Sequence, residues 1–277
     1  MNPPLLQVRD VDVVFPMKGF RAEPFHALKG ASFDLARGET LGLVGESGSG
    51  KTTLGRSVLG LVPVRGGSIR FEGEEIANAS RRRRRQLSRD IQVVFQDPYT
   101  SLNPSLSIED ILAEPLLAQG VSGRDARTRV RGLLDRVQLP SDAVRRLPRE
   151  FSGGQRQRVA IARALALEPK LIVCDEPVSA LDLSTQARVL ELFIEIQEAT
   201  GVAYLFVSHD LTVIRHISHR VIVMFRGELV ESGDVDQVTS RPSHPYTRNL
   251  LMSSPVPDPV LQRERRAERA AMRAETI

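Results

Sequence analysis

The feature that most constrains the fold of this chain is a glycine-rich turn directly after a short apolar run. The run TLGLV leads into the string GESGSGKTT, and a helical pattern follows. The string fits G-x-x-x-x-G-K-[ST], in which successive backbone N–H groups face phosphate oxygens at the positive end of a helix. A glycine-rich turn without a ligand is the alternative, but the flanking strand and helix favour a P-loop. The predicted phosphate-binding residues are Gly45, Glu46, Ser47, Gly48, Ser49, Gly50, Lys51, Thr52 and Thr53.

Two consecutive acids provide the groups that a nucleotide site needs for its metal and its water. The apolar run of LIVCDEP ends in Asp175 and Glu176, at the carboxyl edge where ligands of open α/β sheets bind. Neighbouring strand residues point to opposite faces, so we predict different roles for the two acids. Asp175 and the Thr52 hydroxyl would hold Mg²⁺, Glu176 would polarise a water, and Lys51 would bridge the β- and γ-phosphates. Edge charge without a ligand is the alternative for an isolated Asp-Glu pair.

Short runs rich in β-branched residues alternate with helical patterns along the chain. LLQVRDVDVVF alternates as a half-buried strand does, and GSIRFEGEEI predicts an antiparallel hairpin. IQVVFQ, LIVCDE, AYLFVSHD and RVIVMF show little alternation, which is typical of strands covered on both faces. Between Gln96 and Pro169 helical patterns replace the strand signals. We predict an α/β fold with a parallel-sheet core, an N-terminal antiparallel β subdomain and a helical subdomain inserted at about 97–168.

Composition limits the compartment and the partners. No apolar run reaches the twenty or so residues that cross a bilayer, and the N-terminus lacks a signal-peptide pattern, so we expect a cytosolic protein or one on the cytosolic face of a membrane. The lone Cys174 excludes cysteine-ligated metal sites and is expected to be a buried core thiol. Arginines cluster at 81–85 and in 261–277. Because aromatics do not interleave them, we favour solvated helix faces over nucleic-acid or membrane binding and expect no nucleic-acid partner.

Six motifs in a fixed order resemble those of the nucleotide-binding subunit of an ATP-binding-cassette (ABC) transporter, over nearly the whole chain. After GESGSGKTT come Gln96 in VVFQDP, the signature FSGGQ, LIVCDEP, SALD and finally His209 in VSHD. The resemblance implies a P-loop ATPase that uses ATP and Mg²⁺. It implies that Gln96 senses Mg²⁺ and water, that Glu176 is the catalytic base, and that His209 contacts the γ-phosphate and holds Glu176.

The signature is a second anion-binding turn that opens a helix, about a hundred residues after the P-loop. The resemblance implies that two cassettes face head to tail and that each presents Ser152, Gly153, Gly154 and Gln155 to the nucleotide held by the other. Asp182 would communicate across this dimer. ATP binding would then close the pair, and hydrolysis would reset it.

The adenine-stacking residue is open among three phenylalanines upstream of the P-loop. ABC cassettes commonly stack the base on an aromatic there, and Phe15, Phe20 and Phe25 compete for this role. We favour Phe15, at the end of the first predicted strand, with core packing as its alternative.

Two strings narrow the resemblance to the ATPases of oligopeptide and dipeptide importers, a group that includes nickel and glutathione uptake systems. These are VVFQDPYTSLNPSLSI and RPSHPYTRNLLMSSPVP. The resemblance implies an ABC ATP-binding domain at 1–233 and a C-terminal extension with a basic tail at 234–277. It favours di- or oligopeptides as the transported solute, with nickel, glutathione or another small solute as alternatives. A soluble, non-transport ABC ATPase is the less favoured class.

The same resemblance implies a membrane assembly. The partners would be a second ABC ATPase subunit, more readily in a heterodimer than in a homodimer, two permease subunits and, indirectly, an extracytoplasmic solute-binding protein. Residues 97–104 would form the floor of the groove in which a permease helix sits. The chain would then lie at the cytoplasmic face of the cell membrane as a peripheral subunit.

Overall fold

The structure is a computed structural model that describes residues 3–17, 19 and 23–253. Phe20 and the arginine-rich segment 261–277 lie outside the described residues. The strands of the described part are β1 (Leu6–Phe15), β2 (Phe25–Leu35), β3 (Thr40–Val44), β4 (Gly66–Phe71), β5 (Glu74–Glu75), β6 (Ile91–Val94), β7 (Leu171–Asp175), β8 (Ala203–Ser208), β9 (Arg220–Phe225) and β10 (Glu228–Asp234). Its α-helices are α1 (Lys51–Val58), α2 (Arg81–Leu87), α3 (Pro98–Ser101), α4 (Ile108–Ala118), α5 (Gly123–Arg136), α6 (Gly153–Leu165), α7 (Leu183–Thr200), α8 (Leu211–Ile217), α9 (Val235–Ser240) and α10 (Pro245–Ser253).

The strands form two sheets, as the sequence predicts. The order β2-β1-β4-β5 makes an antiparallel sheet, and β10-β9-β3-β8-β7-β6 makes the central sheet. In the central sheet every neighbouring pair from β9 to β6 is parallel, and only β10 runs antiparallel at one edge. The prediction of an α/β fold with a parallel core and an N-terminal antiparallel sheet is therefore confirmed. β10 was not predicted, because ELVESGD is polar and lacks the apolar run of the other central strands.

The central sheet separates two apolar cores. Along β7, Leu171 and Val173 pack with the antiparallel sheet, whereas Ile172 and Cys174 pack with the helices on the other side. This period of two is what a strand covered on both faces requires. Cys174 is fully buried, which confirms the expectation of a core thiol, and burial raises the pKa of this thiol well above its usual range.

Helices α3 to α6 fill the chain between β6 and β7, where the sequence predicts helical segments. Serines begin three of them, because the Oγ atoms of Ser107, Ser122 and Ser152 accept hydrogen bonds from backbone N–H groups in the first turns of α4, α5 and α6. Such caps satisfy donors that a helix cannot satisfy internally. The helical prediction for this stretch is confirmed, while the limits of the subdomain at about 97–168 stay a prediction.

The first arginine cluster forms α2 and is only partly a solvated face. Arg81 and Arg82 are exposed, but the half-buried Arg84 donates to the backbone carbonyls of Val58 and Ile76. Burial lowers the pKa of Arg84. The expectation of a solvated face is therefore wrong for Arg84, because this side chain ties the end of α1 to the antiparallel sheet.

Beyond β9 the described chain continues through β10, α9 and α10. Within the described ranges, no helix combines the length and the apolar content that crossing a bilayer requires.

Candidate nucleotide-binding and hydrolysis site

The P-loop connects β3 to α1, as predicted. Its first and last glycines are required by close contacts: a Cβ at Gly45 would lie 2.2 Å from the carbonyl oxygen of Met224, and one at Gly50 would lie 2.7 Å from that of Ala27. Gly50 also has a φ of 111°, a backbone conformation that is strained for any residue with a side chain. The loop backbone therefore packs closely against β2 at one glycine and against the end of β9 at the other.

Lys51 is the first residue of α1 and is only 4% exposed. Its Nζ donates to the carbonyl oxygens of Gly45, at 2.7 Å, and Glu46, at 2.9 Å. Burial lowers the pKa of Lys51, and the nearby carboxylates of Glu176, Asp175 and Glu46 oppose that shift. The ammonium group therefore lies beside the loop backbone, where it can supplement the N–H groups in binding phosphate.

Thr52 and Asp175 are brought together as predicted for a metal site. The Thr52 hydroxyl donates to Asp175 Oδ1 at 2.9 Å, across 123 residues of sequence. Burial raises the pKa of Asp175, and the hydrogen bond from Thr52 acts in the opposite direction. In the described residues, no group of three or more His, Cys, Asp and Glu side chains could form a metal cage. One hydroxyl and one carboxylate fit Mg²⁺, which commonly takes its other ligands from water and phosphate.

Glu176 lies directly after β7 and receives two of the predicted partners. His209 Nδ1 is 3.0 Å from Glu176 Oε2, and Gln96 Nε2 donates to the same oxygen at 3.4 Å. Gln96 follows β6 and His209 follows β8, so parallel strands deliver all three side chains to one edge of the sheet. The Glu176 side chain is 16% exposed and that of His209 is 56% exposed. A carboxylate held in this way can act as a general base towards solvent.

The signature turn opens α6 with a reciprocal cap. Ser152 Oγ accepts from the backbone N–H of Gln155, and the Gln155 side chain accepts from the N–H of Ser152. A Cβ at Gly154 would lie 2.2 Å from Thr185 Cγ2 on α7, whereas one at Gly153 would meet nothing closer than 3.6 Å. A side chain at Gly154 would therefore clash with α7, whereas a methyl group at Gly153 would make only ordinary van der Waals contacts with Leu181 and Tyr99.

The structure does not join this turn to the P-loop of the same chain. Among the hydrogen bonds of the described residues, those of Ser152 and Gln155 stay within the start of α6. The neighbouring Arg156 places its guanidinium 4.0 Å from the ring centre of Tyr99, in the loop after Gln96. Sequence reasoning gave Tyr99 and Arg156 no individual role.

Asp182 begins α7. Its carboxylate accepts from the Ser184 hydroxyl at 2.7 Å and from the Thr185 backbone N–H at 3.0 Å. These hydrogen bonds lower the pKa of Asp182 well below its usual range. The next residue, Leu183, is 84% exposed. Thr185, in the same first turn of α7, lies against Gly154, so Leu183 is on the end of α7 that packs against the signature turn.

The aromatic candidates lie at the open end of the antiparallel sheet. Phe15 and Phe25 are directly opposite each other in the β1–β2 pairing, and they are 37% and 53% exposed. The structure brings Phe25 to the same place as the favoured Phe15, so the choice between them stays open. Phe20 lies outside the described residues.

Tyr246 is a residue of this site that sequence reasoning missed. Its hydroxyl accepts a 2.9 Å hydrogen bond from the backbone N–H of Glu46, in the P-loop. The available signal was the string HPYT, which the sequence analysis used only as a mark of the importer group. A contact across 200 residues of sequence cannot be read from that string.

Comparisons with known proteins identify the family of this chain. A family model described as "ABC transporter" matches residues 28–179, and one described as "Oligopeptide/dipeptide transporter, C-terminal region" matches residues 230–276. The glutathione import ATP-binding protein GsiA of Escherichia coli (strain K12) is 50% identical over 268 residues, which are 95% of this chain and 43% of that protein. The GsiA of Pectobacterium atrosepticum is 50% identical over 261 residues, which are 92% and 42% of the two chains. The chain thus spans less than half the length of these curated relatives.

Solved structures show the same fold. The dimeric structure of MJ0796, a bacterial ABC transporter cassette, has a TM-score of 0.74 and 29% identity and covers 83% of this chain and 98% of that one. A post-hydrolysis dimer of MJ0796 bound to ADP and Pi gives the same values. The cbiO1 protein of Clostridium perfringens, part of the ABC transporter complex cbiONQ, has a TM-score of 0.77 and 28% identity and covers 87% and 92%. With its family match over more than half of its length, its cassette fold and its P-loop, this chain belongs to the ABC transporter family.

Proposed function

We propose that this chain is the ATP-hydrolysing subunit of an importer and that it powers uptake of a small solute through a membrane permease. The observation that carries the proposal is the convergence of His209 and Gln96 on Glu176 Oε2, beside the Thr52–Asp175 pair. The direction of transport is supported by relatives that are named as import proteins.

The proposed reaction is hydrolysis of ATP to ADP and phosphate. The P-loop backbone and Lys51 bind the phosphates, and Thr52 and Asp175 would hold Mg²⁺, which would neutralise charge on the phosphate oxygens. The Glu176 carboxylate accepts a proton from a water whose oxygen bonds to the γ-phosphorus, while the bond to the bridging oxygen of ADP breaks. His209 orients the carboxylate through their 3.0 Å contact, and Gln96 reaches the same oxygen.

We assign adenine stacking to the exposed pair Phe15 and Phe25. The two rings flank the end of the sheet whose strand β2 contacts the P-loop at Ala27. Aromatic stacking with a base contributes about 1–3 kcal/mol in other proteins. Either ring would serve as the platform, with Phe15 the one favoured by the sequence.

The active form proposed here is a pair of cassettes. The turn at Ser152, Gly153, Gly154 and Gln155 makes its hydrogen bonds within the start of α6 and none to its own P-loop among the described residues, and we propose that it binds the γ-phosphate held by the partner. The exposed Leu183, next to Asp182, gives the same surface an apolar group to bury. We propose a second ABC ATPase subunit as the partner, in a heterodimer.

The permease subunits would dock beside the loop at 97–104. A mainly apolar groove ends at Phe95, two residues before this loop, and its lining includes Leu61, Leu87 and Ile91 together with Arg84. Leu61 is 60% exposed, and so is a ready contact for the apolar face of a permease helix. This docking would hold the chain at the cytoplasmic face of the cell membrane, with an extracytoplasmic solute-binding protein delivering the cargo to the permeases.

The cargo proposed is a di- or oligopeptide, and glutathione, itself a short peptide, is the variant that the relatives' names favour. Uptake of radiolabelled dipeptide, tripeptide, glutathione and nickel by cells with and without the gene for this chain would separate these substrates. Loss of peptide uptake on deletion supports the proposal, and loss of nickel uptake alone contradicts the peptide assignment.

The hydrolytic function is tested by Glu176→Gln. We expect ATP binding to persist and phosphate release to fall by about 100-fold or more, because the amide cannot accept the proton. The matched control is Glu191→Gln, since Glu191 also pairs with a histidine, His216, at 2.9 Å but on an exposed helix surface. Near-native phosphate release by Glu176→Gln, with the control unaffected, would remove Glu176 from the proposed role.

A further inference from the structure

Helix α10, the last element of the described residues, reaches the P-loop through one buried tyrosine. Tyr246 is 9% exposed, and its hydroxyl accepts the backbone N–H of Glu46 at 2.9 Å. Glu46 is the second residue of the loop, and its carbonyl oxygen accepts from Lys51 Nζ at 2.9 Å. A hydroxyl from the C-terminal extension thus lies one peptide unit away from the contact that holds the P-loop lysine.

The position of the Tyr246 ring is fixed by its packing. The ring lies against Phe225, the last residue of β9, with centroids 4.2 Å apart. The turn after β9 also contacts the loop, because the backbone N–H of Gly227 donates to the carbonyl of Ser49 at 2.9 Å. The P-loop therefore packs against two elements, the end of β9 and helix α10.

The start of α10 is itself tied to β10. The Glu231 carboxylate accepts from the backbone N–H and the hydroxyl of Ser243 and from the backbone N–H of His244, at 2.7, 2.8 and 3.2 Å. His244 Nδ1 in turn accepts from the N–H of Tyr246 at 3.1 Å. These hydrogen bonds fix the backbone position of Tyr246, and so they fix the position of its hydroxyl relative to the P-loop.

We propose that Tyr246 is a positioning residue of the nucleotide site: it fixes the first half of the P-loop through the Glu46 N–H and thereby sets the affinity for ATP. The proposal rests on the proposed function, since it concerns how tightly ATP binds. A preformed loop loses less conformational freedom when phosphate binds, so affinity should fall when the anchor is removed. The residues proposed to carry out hydrolysis are unchanged, so kcat at saturating ATP should stay near the native value.

The test is Tyr246→Phe in the full chain, which keeps the ring on Phe225 and deletes only the hydroxyl. We expect Kd for MgATP and KM for ATP to rise by about three- to tenfold, as for the loss of one hydrogen bond, with kcat near the native value. Hydrogen exchange at the Glu46 amide should become faster in the nucleotide-free protein. A role in folding alone would lower the melting temperature and leave the affinity unchanged.

Tyr204→Phe is the matched control. The Tyr204 hydroxyl is also buried and donates to the carbonyl of Phe193 at 3.2 Å, but Tyr204 pairs with Thr40, at the end of β3 farthest from the P-loop. The Tyr204→Phe substitution should lower the melting temperature and leave Kd for MgATP unchanged.

A second test variant is Glu231→Gln, which weakens the hydrogen bonds that hold the start of α10. We expect it to raise Kd for MgATP, as Tyr246→Phe does, and it keeps the proposal testable if Tyr246→Phe yields too little folded protein.

The outcomes separate the two ideas. If the native chain binds MgATP and Kd is unchanged in both Tyr246→Phe and Glu231→Gln, Tyr246 does not position the loop, and the proposed function stands. If the native chain binds no MgATP, the proposed function fails, and the inference fails with it.

Discussion

His209 Nδ1 lies 3.0 Å from Glu176 Oε2, and the backbone of Glu176 has a left-handed φ of 50°. A non-glycine residue in this region costs on the order of 1–3 kcal/mol and persists where the surrounding structure enforces it. Here the Glu176 N–H donates to the carbonyl of Val207, on β8, at 3.0 Å. Glu176 is thus held at two points. Its backbone is bonded to β8, and its carboxylate is in contact with His209.

His209→Ala removes the side-chain half of this arrangement. We predict that kcat falls by about 100-fold, because a small misplacement of a general base has effects of that size. ATP affinity should change much less, since the P-loop is intact. Steady-state phosphate release and MgATP titration measure the two quantities. His216→Ala, which removes the exposed partner of Glu191, is the control and should retain native kinetics; a kcat above half the native value for His209→Ala would contradict the prediction.

Asp175→Asn separates the hydrogen bond to Thr52 from the charge on the carboxylate. The amide oxygen can still accept from Thr52, so the fold should be kept, but the negative charge that favours Mg²⁺ is lost. We predict a fall in kcat of about 100-fold and a shift of the Mg²⁺ dependence to higher concentration.

Phosphate release across a Mg²⁺ titration measures both effects of Asp175→Asn. Asp142→Asn, at an exposed ion pair with Arg146, is the control. An unchanged Mg²⁺ dependence in Asp175→Asn would show that the carboxylate does not hold the metal.

The parts of the site that the sequence predicts are those that the sheet itself assembles. Gln96, Asp175, Glu176 and His209 each follow a strand signal, and parallel strands place their carboxyl ends at one edge. Tyr246 could not be found in this way, because α10 reaches the P-loop through long-range packing. Side-chain burial is equally hidden in the sequence, because Arg83 and Arg84 are half-buried although they lie in a run of five identical residues.

The aromatic site was ambiguous for a different reason. The β1–β2 pairing has three register shifts, which fall between Val8 and Val11, between Val11 and Val13, and between Val13 and Val14. Each shift changes which side chains are opposite each other. The sequence therefore identified the phenylalanines but could not show that Phe15 and Phe25 are cross-strand neighbours.

Glu72 gives the fold a predicted pH dependence. Its carboxylate accepts from Lys170, at 2.7 Å, and from Arg37, and these hydrogen bonds lower the pKa of Glu72 below 4.5. A carboxylate with a lowered folded-state pKa adds stability above its unfolded pKa and loses it as the pH falls through the folded value. We predict that Glu72→Gln lowers the free energy of unfolding at pH 7 by about 1 kcal/mol or less, since the partners are partly exposed.

Urea unfolding at several pH values measures the effect of Glu72→Gln. The difference from the native chain should shrink as the pH falls below about 4.5, where the unfolded carboxyl becomes protonated. High salt should also reduce it, because the ion pairs are screened. A difference that grows as the pH falls would contradict this account.

The adjacent glycines of the signature turn allow packing and function to be tested separately. Gly154→Ala forces a methyl against Thr185, 2.2 Å away, and should cost about 1–3 kcal/mol of stability. At Gly153 the added methyl meets only ordinary contacts, so the melting temperature should be kept. If a partner's nucleotide binds at this turn, Gly153→Ala should still lower phosphate release, by about tenfold or more, because the close approach of the backbone is blocked.

Gly132→Ala, in α5 with open space around it, is the control for the Gly153→Ala substitution. It should leave hydrolysis unchanged and raise stability by about 0.5–1 kcal/mol, since alanine restricts the unfolded chain. Phosphate release and thermal unfolding are measured for Gly153→Ala, Gly154→Ala and Gly132→Ala, each with its partner ATPase. Together they distinguish an effect on packing from an effect on nucleotide contact. Native hydrolysis by Gly153→Ala, combined with alanine at the corresponding signature glycine of the partner ATPase, would mean that the turn does not contact the nucleotide.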